Sequence, residues 1–516
     1  MLTNRSALFT IVAGLLAAAL PASAWAGDFV DTRVTLLFSD DNILADAGET
    51  TPNSPSARLG AANSSNSQFY DNFNTKYSGF ETLTNLVLYK QAPSYFEGLT
   101  TEAALALNLL VARERGTSSL DAVKIGDASS YLRLNYVPRS WSAKQGEGIS
   151  LTGFPMSADR FRLGYAYKIS WGGSSAFPTN ESVPGAKLQV TKALNDDQIV
   201  YGFVGLKTTL ILNDKIHEQE TNYGFLAGAG VDFTRWLRWD ISGGFFQKGV
   251  NPNTAVLGKP VDARGLSSEL VFHFGAPVGR SVDFALYKND PDLPTRFFKP
   301  ESYPGGFAFT AAIEGSVLQQ VLADPDEFGA TTRQSAQAGA LQLRAKWDYL
   351  RFNVLGLYRS LSFIQFNVPG LPPFQDFPGG TDLVAEKFIA VGADYYLRGL
   401  HLTPGIIGGV QIPASFTTES LGSNNPPESF LGTRTVVVRD QNQLTVLPSD
   451  ADPKPIYSGK VTLRWDISDY FAAAGEFYVN YDWNRTTFRD SAAGVAQPVF
   501  EDPWIVGFNT LLQARF

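Results

Sequence analysis

The 516-residue chain contains no cysteine, only two methionines and only three histidines. Without thiols there can be no disulfide framework, no cysteine-ligated zinc, no iron–sulfur centre and no thiol nucleophile. Charge is scarce too: Asp, Glu, Lys and Arg make up 18 % of the residues, against roughly 25 % in an average soluble domain. No apolar run reaches the ~20 residues of a membrane-spanning helix, and the mean hydropathy is only -0.08. What the chain does have is 37 Phe, 20 Tyr, 9 Trp and 47 Gly. Low charge with many aromatic and small residues, and no long apolar run, points to a β-sheet protein with one face in lipid. The formal net charge of -8 argues against nucleic acid as a partner, because binding to it needs a basic field.

Motifs of catalysis are absent as well. His217, His273 and His401 offer no H-E-x-x-H spacing for a metal. There is no G-x-S-x-G elbow, and Gly258-Lys259 lacks the upstream glycine of a phosphate-binding loop. A hydrolase built on His273 stays open only because a base and a nucleophile can meet in space from distant positions. The sequence therefore gives no enzyme, no cofactor and no metal site.

The N-terminus has the pattern of an export signal. Arg5 supplies a positive start, Leu8 to Leu20 form a short apolar stretch, Pro21 breaks it, and Ala24-Trp25-Ala26 offers small residues for cleavage after Ala26. The apolar stretch is too short to span ~30 Å of hydrocarbon as a helix. The expected organisation is a signal peptide at 1–26, an N-terminal segment at 27–79 and a barrel over 80–516. The N-terminal segment is either a first strand plus a long loop or a piece folded into the lumen.

Beyond the signal, apolar and polar residues alternate at the strand period. In Lys460 to Ile467, Val461, Leu463, Trp465 and Ile467 oppose Lys460, Thr462, Arg464 and Asp466. Leu341 to Tyr349 and Phe471 to Trp483 repeat this. In Arg160 to Trp171, Phe161, Leu163, Tyr165, Tyr167, Ile169 and Trp171 oppose Arg160, Arg162 and Lys168. These segments run to about ten residues, the length a tilted membrane strand needs, whereas sandwich strands average about 5–6. Because lipid satisfies no backbone hydrogen bonds, such a sheet must close on itself.

The last thirteen residues, Trp504 to Phe516, alternate and stop on a phenylalanine. This end resembles the closing strand of bacterial outer-membrane barrels. The resemblance implies recognition of Phe516 by the barrel-assembly machinery and a place in outer-membrane lipid. In size the chain is also similar to polysaccharide-exporting barrels of the alginate-exporter kind, a likeness of architecture that brings no substrate motif with it.

Tight turns near 234–236, 276–279, 349–351, 398–399 and 468–469 separate Gly- and Pro-rich stretches at 248–263, 289–336, 361–385, 412–455 and 485–502. Taking the long stretches as outer loops gives eleven strands from about 221 onward. The segment 430–438 then becomes a loop ribbon. Upstream lie eight candidates, at 28–38, 80–91, 98–114, 128–137, 148–155, 160–171, 185–193 and 198–212. An even total requires one to be false, and either 28–38 or 148–155 is the expected casualty. The fold class is all-β, a closed antiparallel transmembrane β-barrel of about 18 strands (range about 16–20) with long outer loops. Residues 310–324 space Ile313, Val317, Val321 and Leu322 as a helix would, ended by Pro325, so a short loop helix is expected there.

A barrel of that size encloses an aqueous channel unless something fills it. The expected pore-lining set is Arg133, Arg160, Arg162, Lys168, Lys187, Arg344, Lys346, Lys460 and Arg464. A cationic wall facing acidic residues would favour anionic or zwitterionic solutes, saccharides included. The alternative is a non-transporting surface or adhesin-like barrel that binds a partner through its outer loops. An open bore favours the channel and a filled lumen favours the alternative.

Overall fold

A computed structural model of the chain describes residues 29–515 apart from 41, 45–83, 93, 113–121, 128–129, 142–146, 159–160, 165–168, 170, 174–175, 179–180, 196, 235, 276–305, 368–373, 419–433, 441–442, 469 and 491–495. The expected signal peptide, Arg160, Lys168, Tyr165, Tyr167 and Phe516 lie outside the described residues.

The chain forms β1 (Phe29–Asp40), β2 (Thr84–Ala92), β3 (Leu99–Ala112), β4 (Ala122–Asp127), β5 (Tyr131–Tyr136), β6 (Gly148–Phe154), β7 (Gly185–Ala193) and β8 (Ile199–Asn213). The long strands β9 (Glu218–Thr234), β10 (Leu237–Val250), β11 (Pro260–Phe274), β12 (Phe307–Ala323), β13 (Thr331–Trp347) and β14 (Leu350–Arg359) follow. Helix α1 (Leu361–Asn367) precedes β15 (Asp382–Val384), β16 (Glu386–Tyr395), β17 (Leu402–Ile412), β18 (Ala414–Thr418), β19 (Arg434–Asp440) and β20 (Gln443–Val446). The chain ends with β21 (Ile456–Asp466), β22 (Phe471–Tyr481), β23 (Thr486–Asp490), β24 (Ala496–Phe500) and β25 (Trp504–Arg515).

Nineteen strands join one antiparallel sheet, each paired with the next in sequence except where surface hairpins intervene. β4 and β5 both pair with β3, at its two ends, and so share one position. β1 pairs with β2 through Phe29↔Tyr89 to Arg33↔Asn85, and with β25 through Arg33↔Arg515 to Asp40↔Phe508. The first strand thus joins the second to the last. Outside the main sheet, β15, β18, β19 and β20 form a four-stranded sheet, and β23 and β24 a hairpin. The segment 430–438 accordingly contributes to a loop sheet through β19.

The alternation read in the sequence sorts into two environments with the polarity of a soluble protein inverted. On β21, Tyr457, Val461, Leu463 and Trp465 are exposed while Lys460, Thr462, Arg464 and Asp466 are buried. On β12, Ile313 and Val317 are exposed while Glu314, Ser316 and Gln320 are buried. Exposed aromatic residues gather at both ends of the apolar face. Trp236, Phe274 and Phe307 touch at the end where the turns are short, and exposed Trp504 meets half-buried Tyr481 at the other. Such girdles sit at the two interfaces of a membrane.

Two expectations are corrected. Residues 310–324 are not a loop helix: they lie in β12, which pairs with β13 from Phe307↔Trp347 to Ala323↔Thr331 without a bulge. Ile313, Val317 and Val321 recur every four residues, a spacing that is one turn of a helix and also two full strand repeats. The loop expected at 289–336 fails with it, since 307–323 and 331–336 lie in β12 and β13, while the tight turn expected at 276–279 lies outside the described residues. β11 stops at Phe274 and β12 starts at Phe307, and residues 276–305 between them lie outside the described residues. The second correction concerns 160–171, whose described residues, 161–164, 169 and 171, pair with no strand of the main sheet. Segments 28–38 and 148–155 are strands (β1 and β6), and the false candidate is the one with the cleanest alternation. Leu163 and Trp171 form an isolated antiparallel bridge inside the connection between β6 and β7, and Phe161, Leu163, Ile169 and Trp171 are fully buried. Alternation reports one apolar face without saying what covers it, and here the cover is the inner surface of the sheet.

Candidate functional site: the interior of the sheet

The buried face has an apolar part and a charged part. The apolar part is built by the β6–β7 connection and by α1. Trp171 packs edge-on against Phe246 of β10 (5.8 Å between centroids) and against Phe366 of α1 (6.1 Å). Phe177 meets Phe246 at 5.6 Å, and Phe161 meets Phe203 of β8 at 5.8 Å. Leu226, Leu318, Ala336, Ala338 and Leu357 of the surrounding strands belong to the same cluster. The wall makes room with glycine. A Cβ on Gly205 would lie 2.3 Å from the Phe161 ring, and one on Gly265 2.9 Å from the Trp171 indole.

Polar groups tie this insertion to the wall. Trp171 Nε1 donates to Ser267 Oγ (2.8 Å), which shares a 2.8 Å hydrogen bond with Ser316 Oγ, and Ser316 Oγ donates to the Ile169 carbonyl (3.2 Å). Lys207 Nζ donates to the carbonyls of Ala158 (2.6 Å) and Gly172 (2.8 Å). Lys248 Nζ donates to the Phe366 carbonyl at 3.1 Å and lies 4.1 Å from the centre of that ring.

The charged part follows from register. Asp240 of β10 stands opposite Glu269 of β11, and Glu269 opposite Glu314 of β12, placing three buried carboxylates on adjacent strands. Next to them, Lys346 of β13 stands opposite Arg351 of β14, and Arg344 opposite Asn353. Ion pairs cross neighbouring strands: Arg351 to Asp394 (2.6 Å), Arg359 to Glu386 (2.7 Å), Lys460 to Glu476 (2.9 Å) and Arg133 to Glu102 (3.2 Å). Arg464 pairs with Asp466 on its own strand at 2.7 Å, and Arg238 pairs with Asp232.

Of the residues singled out in the sequence, Arg344, Lys346, Lys460 and Arg464 are buried on β13 and β21. Arg133 on β5 is engaged by Glu102. Lys187 on β7 sits 5.8 Å from the Phe161 ring and 5.9 Å from that of Phe203. Arg162 belongs to the inserted segment and not to a wall strand. Sequence reading missed Arg351, Arg359, Lys207 and Lys248. The signal was present for Lys207, since Val204, Leu206, Leu210 and Leu212 are all exposed and parity puts Lys207 on the opposite face. His273 Nδ1 lies 3.3 Å from Thr310 Oγ1, and His401 Nδ1 2.9 Å from the Tyr396 hydroxyl in the β16–β17 turn.

No protein-family model matches the chain, and no curated protein matches it. Among solved structures, the chain is similar to OccK1 (OpdK) of Pseudomonas aeruginosa at 10% identity, covering 95% of this chain and 98% of that one with a TM-score of 0.40. It is also similar to the outer membrane protein OprD of the same organism at 8% identity, covering 95% and 93% with a TM-score of 0.38. A BenF-like porin from Pseudomonas fluorescens is similar at 8% identity, covering 95% and 98% with a TM-score of 0.40.

Proposed function

We propose that the chain is a bacterial outer-membrane β-barrel whose interior forms a narrow, charged passage for small hydrophilic solutes. One observation carries this reading: strand after strand exposes its apolar residues and buries its charged ones. That arrangement is stable only where the outside is lipid and the inside is polar. The pairing of β1 with both β2 and β25 supports closure into a ring of eighteen positions, one fewer than the nineteen strands because β4 and β5 share one. Acidic residues on β10–β12 beside basic ones on β13, β14 and β21 impose a transverse field, which favours zwitterionic or anionic solutes over neutral ones of equal size.

The test is single-channel recording of the purified protein in planar bilayers with reversal potentials in a salt gradient. Conductance with a weak anion preference is expected, and reversing Arg344 and Lys346 to Glu together should move the anion/cation permeability ratio toward cations. An unchanged ratio would show that this wall does not line the path. The apolar cluster around Trp171 favours a second reading, a surface barrel that carries no solute. A membrane that stays electrically silent with correctly folded protein would establish it.

A further inference from the structure

Between β6 and β7 the described residues of 155–184 lie against the buried face of the sheet, and one side chain holds two separate points of that connection. Lys207 of β8 is fully buried. Its ammonium donates to the Ala158 carbonyl, near the start of the insertion, and to the Gly172 carbonyl, just past its apolar bridge. The Phe161 ring lies 5.5 Å from the same nitrogen. An ammonium taken out of water must be matched by acceptors, so the position of Lys207 and that of the two carbonyls are set together. Each such charge-assisted hydrogen bond is stronger than a neutral one. Gly205, two residues away on the same face, leaves the space the Phe161 ring occupies.

We infer that Lys207 is the clasp that seats the 155–184 insertion against the wall and thereby sets the bore of the passage. The inference deepens the channel reading and rests on it for its consequence in transport, but the seating itself is a separate matter. Removing the ammonium takes a donor from the Gly172 carbonyl and leaves the Ala158 carbonyl with the Phe161 amide alone (3.0 Å), which favours conformers in which the insertion has moved off the wall and water reaches both groups. The passage widens in those conformers.

The absence of native cysteine makes the test clean. Ala176 is fully buried in the insertion, and Ala176→Cys places a small thiol there as an accessibility reporter. Maleimide labelling of this thiol is expected to accelerate by at least about tenfold when Lys207→Met is added, the effect of losing one strong hydrogen bond on a two-state equilibrium. In parallel, Lys207→Met is expected to raise single-channel conductance and the size limit for permeating solutes. Lys207→Cys with Ala176 left native, alkylated with 2-bromoethylamine in urea and refolded, restores an ammonium at nearly the same reach and should return conductance and size limit to those of the parent.

Unchanged labelling in Lys207→Met overturns the clasp, whether or not the protein conducts. So does a bore that stays wide after aminoethylation, since the ammonium would then not be the cause. Faster labelling with no conductance in any variant upholds the clasp and defeats the channel reading. Folding is monitored by heat-modifiable electrophoretic mobility. If Lys207→Met does not fold, Lys207→Gln keeps one donor and is expected to label at an intermediate rate, and labelling no faster than the parent again overturns the proposal.

Discussion

At the scale of single residues, the interior separates ionic contacts that matter from those that do not. Arg359 Nε donates to Glu386 at 2.7 Å, and Gln411 Nε2 donates to the other carboxylate oxygen of Glu386 at 2.9 Å, so three neighbouring strands meet at one buried anion. Arg359 and Glu386 side chains are each 2% exposed. Removing one partner of such a pair strands the other charge away from water. Glu386→Gln is therefore expected to destabilise the folded protein by about 3–5 kcal/mol, read from the urea midpoint of refolding into detergent. Arg139 and Glu97 also approach to 2.7 Å, but their side chains are 78% and 71% exposed. Glu97→Gln should change the same midpoint by no more than about 1 kcal/mol. Equal shifts for the two variants would mean that the Arg359 site is as wet as the surface.

At the scale of elements, the decisive variable is which face of a strand meets lipid. Ile313 stands on the exposed face of β12 between Phe307 and Val317, and all three are exposed. Ile313 lies within the exposed apolar face of β12, away from the girdle residue Phe307 at the strand's start. Ile313→Arg is expected to cost about 2–4 kcal/mol of stability in bilayers, whereas a charge on the inner face one residue away is already native as Glu314. A neutral outcome would show that this face does not touch acyl chains. The same elements show what was legible in the sequence. β13 and β21 could be read because a two-residue period is unambiguous when charged residues mark one face, and β22 and β25 because large apolar residues alternate with small or polar ones. β12 was misread because its inner face carries Leu318 and Leu322, which meet the apolar interior and blur the alternation into helical spacing. The segment 160–171 alternates as well as any wall strand. Whether an apolar stripe meets lipid or the buried face of its own sheet depends on distant glycines such as Gly205 and Gly265, which no local window contains. The charged interior was partly legible, since parity fixes which side chains share a face but not the cross-strand register that sets Arg351 beside Asp394.

At the scale of the whole molecule, ladder strength is uneven along the main sheet. β12 and β13 are 17 residues each and pair along their full length. β1 instead divides its 12 residues, with Phe29–Arg33 held by β2 and Arg33–Asp40 by β25, so that only Arg33 has neighbours on both sides. β5 and β6 add a second thin region, with pairing confined to Leu132↔Gly153 through Tyr136↔Ile149. Opening a ladder exposes amides to exchange in proportion to how few hydrogen bonds must break together. In lipid, an opened edge also leaves backbone groups without any partner, so the thinnest ladder limits the stability of the sheet. Hydrogen–deuterium exchange in nanodiscs is therefore expected to show faster uptake in β1, β2, β5 and β6 than in β12 and β13. Deleting residues 29–40 should leave β2 and β25 with free edges and yield aggregated protein instead of a heat-modifiable barrel. Uniform protection around the ring, or normal assembly of the deletion, would show that the sheet closes through β2 and β25 without the first strand, and the eighteen-position ring would have to be replaced by one of seventeen.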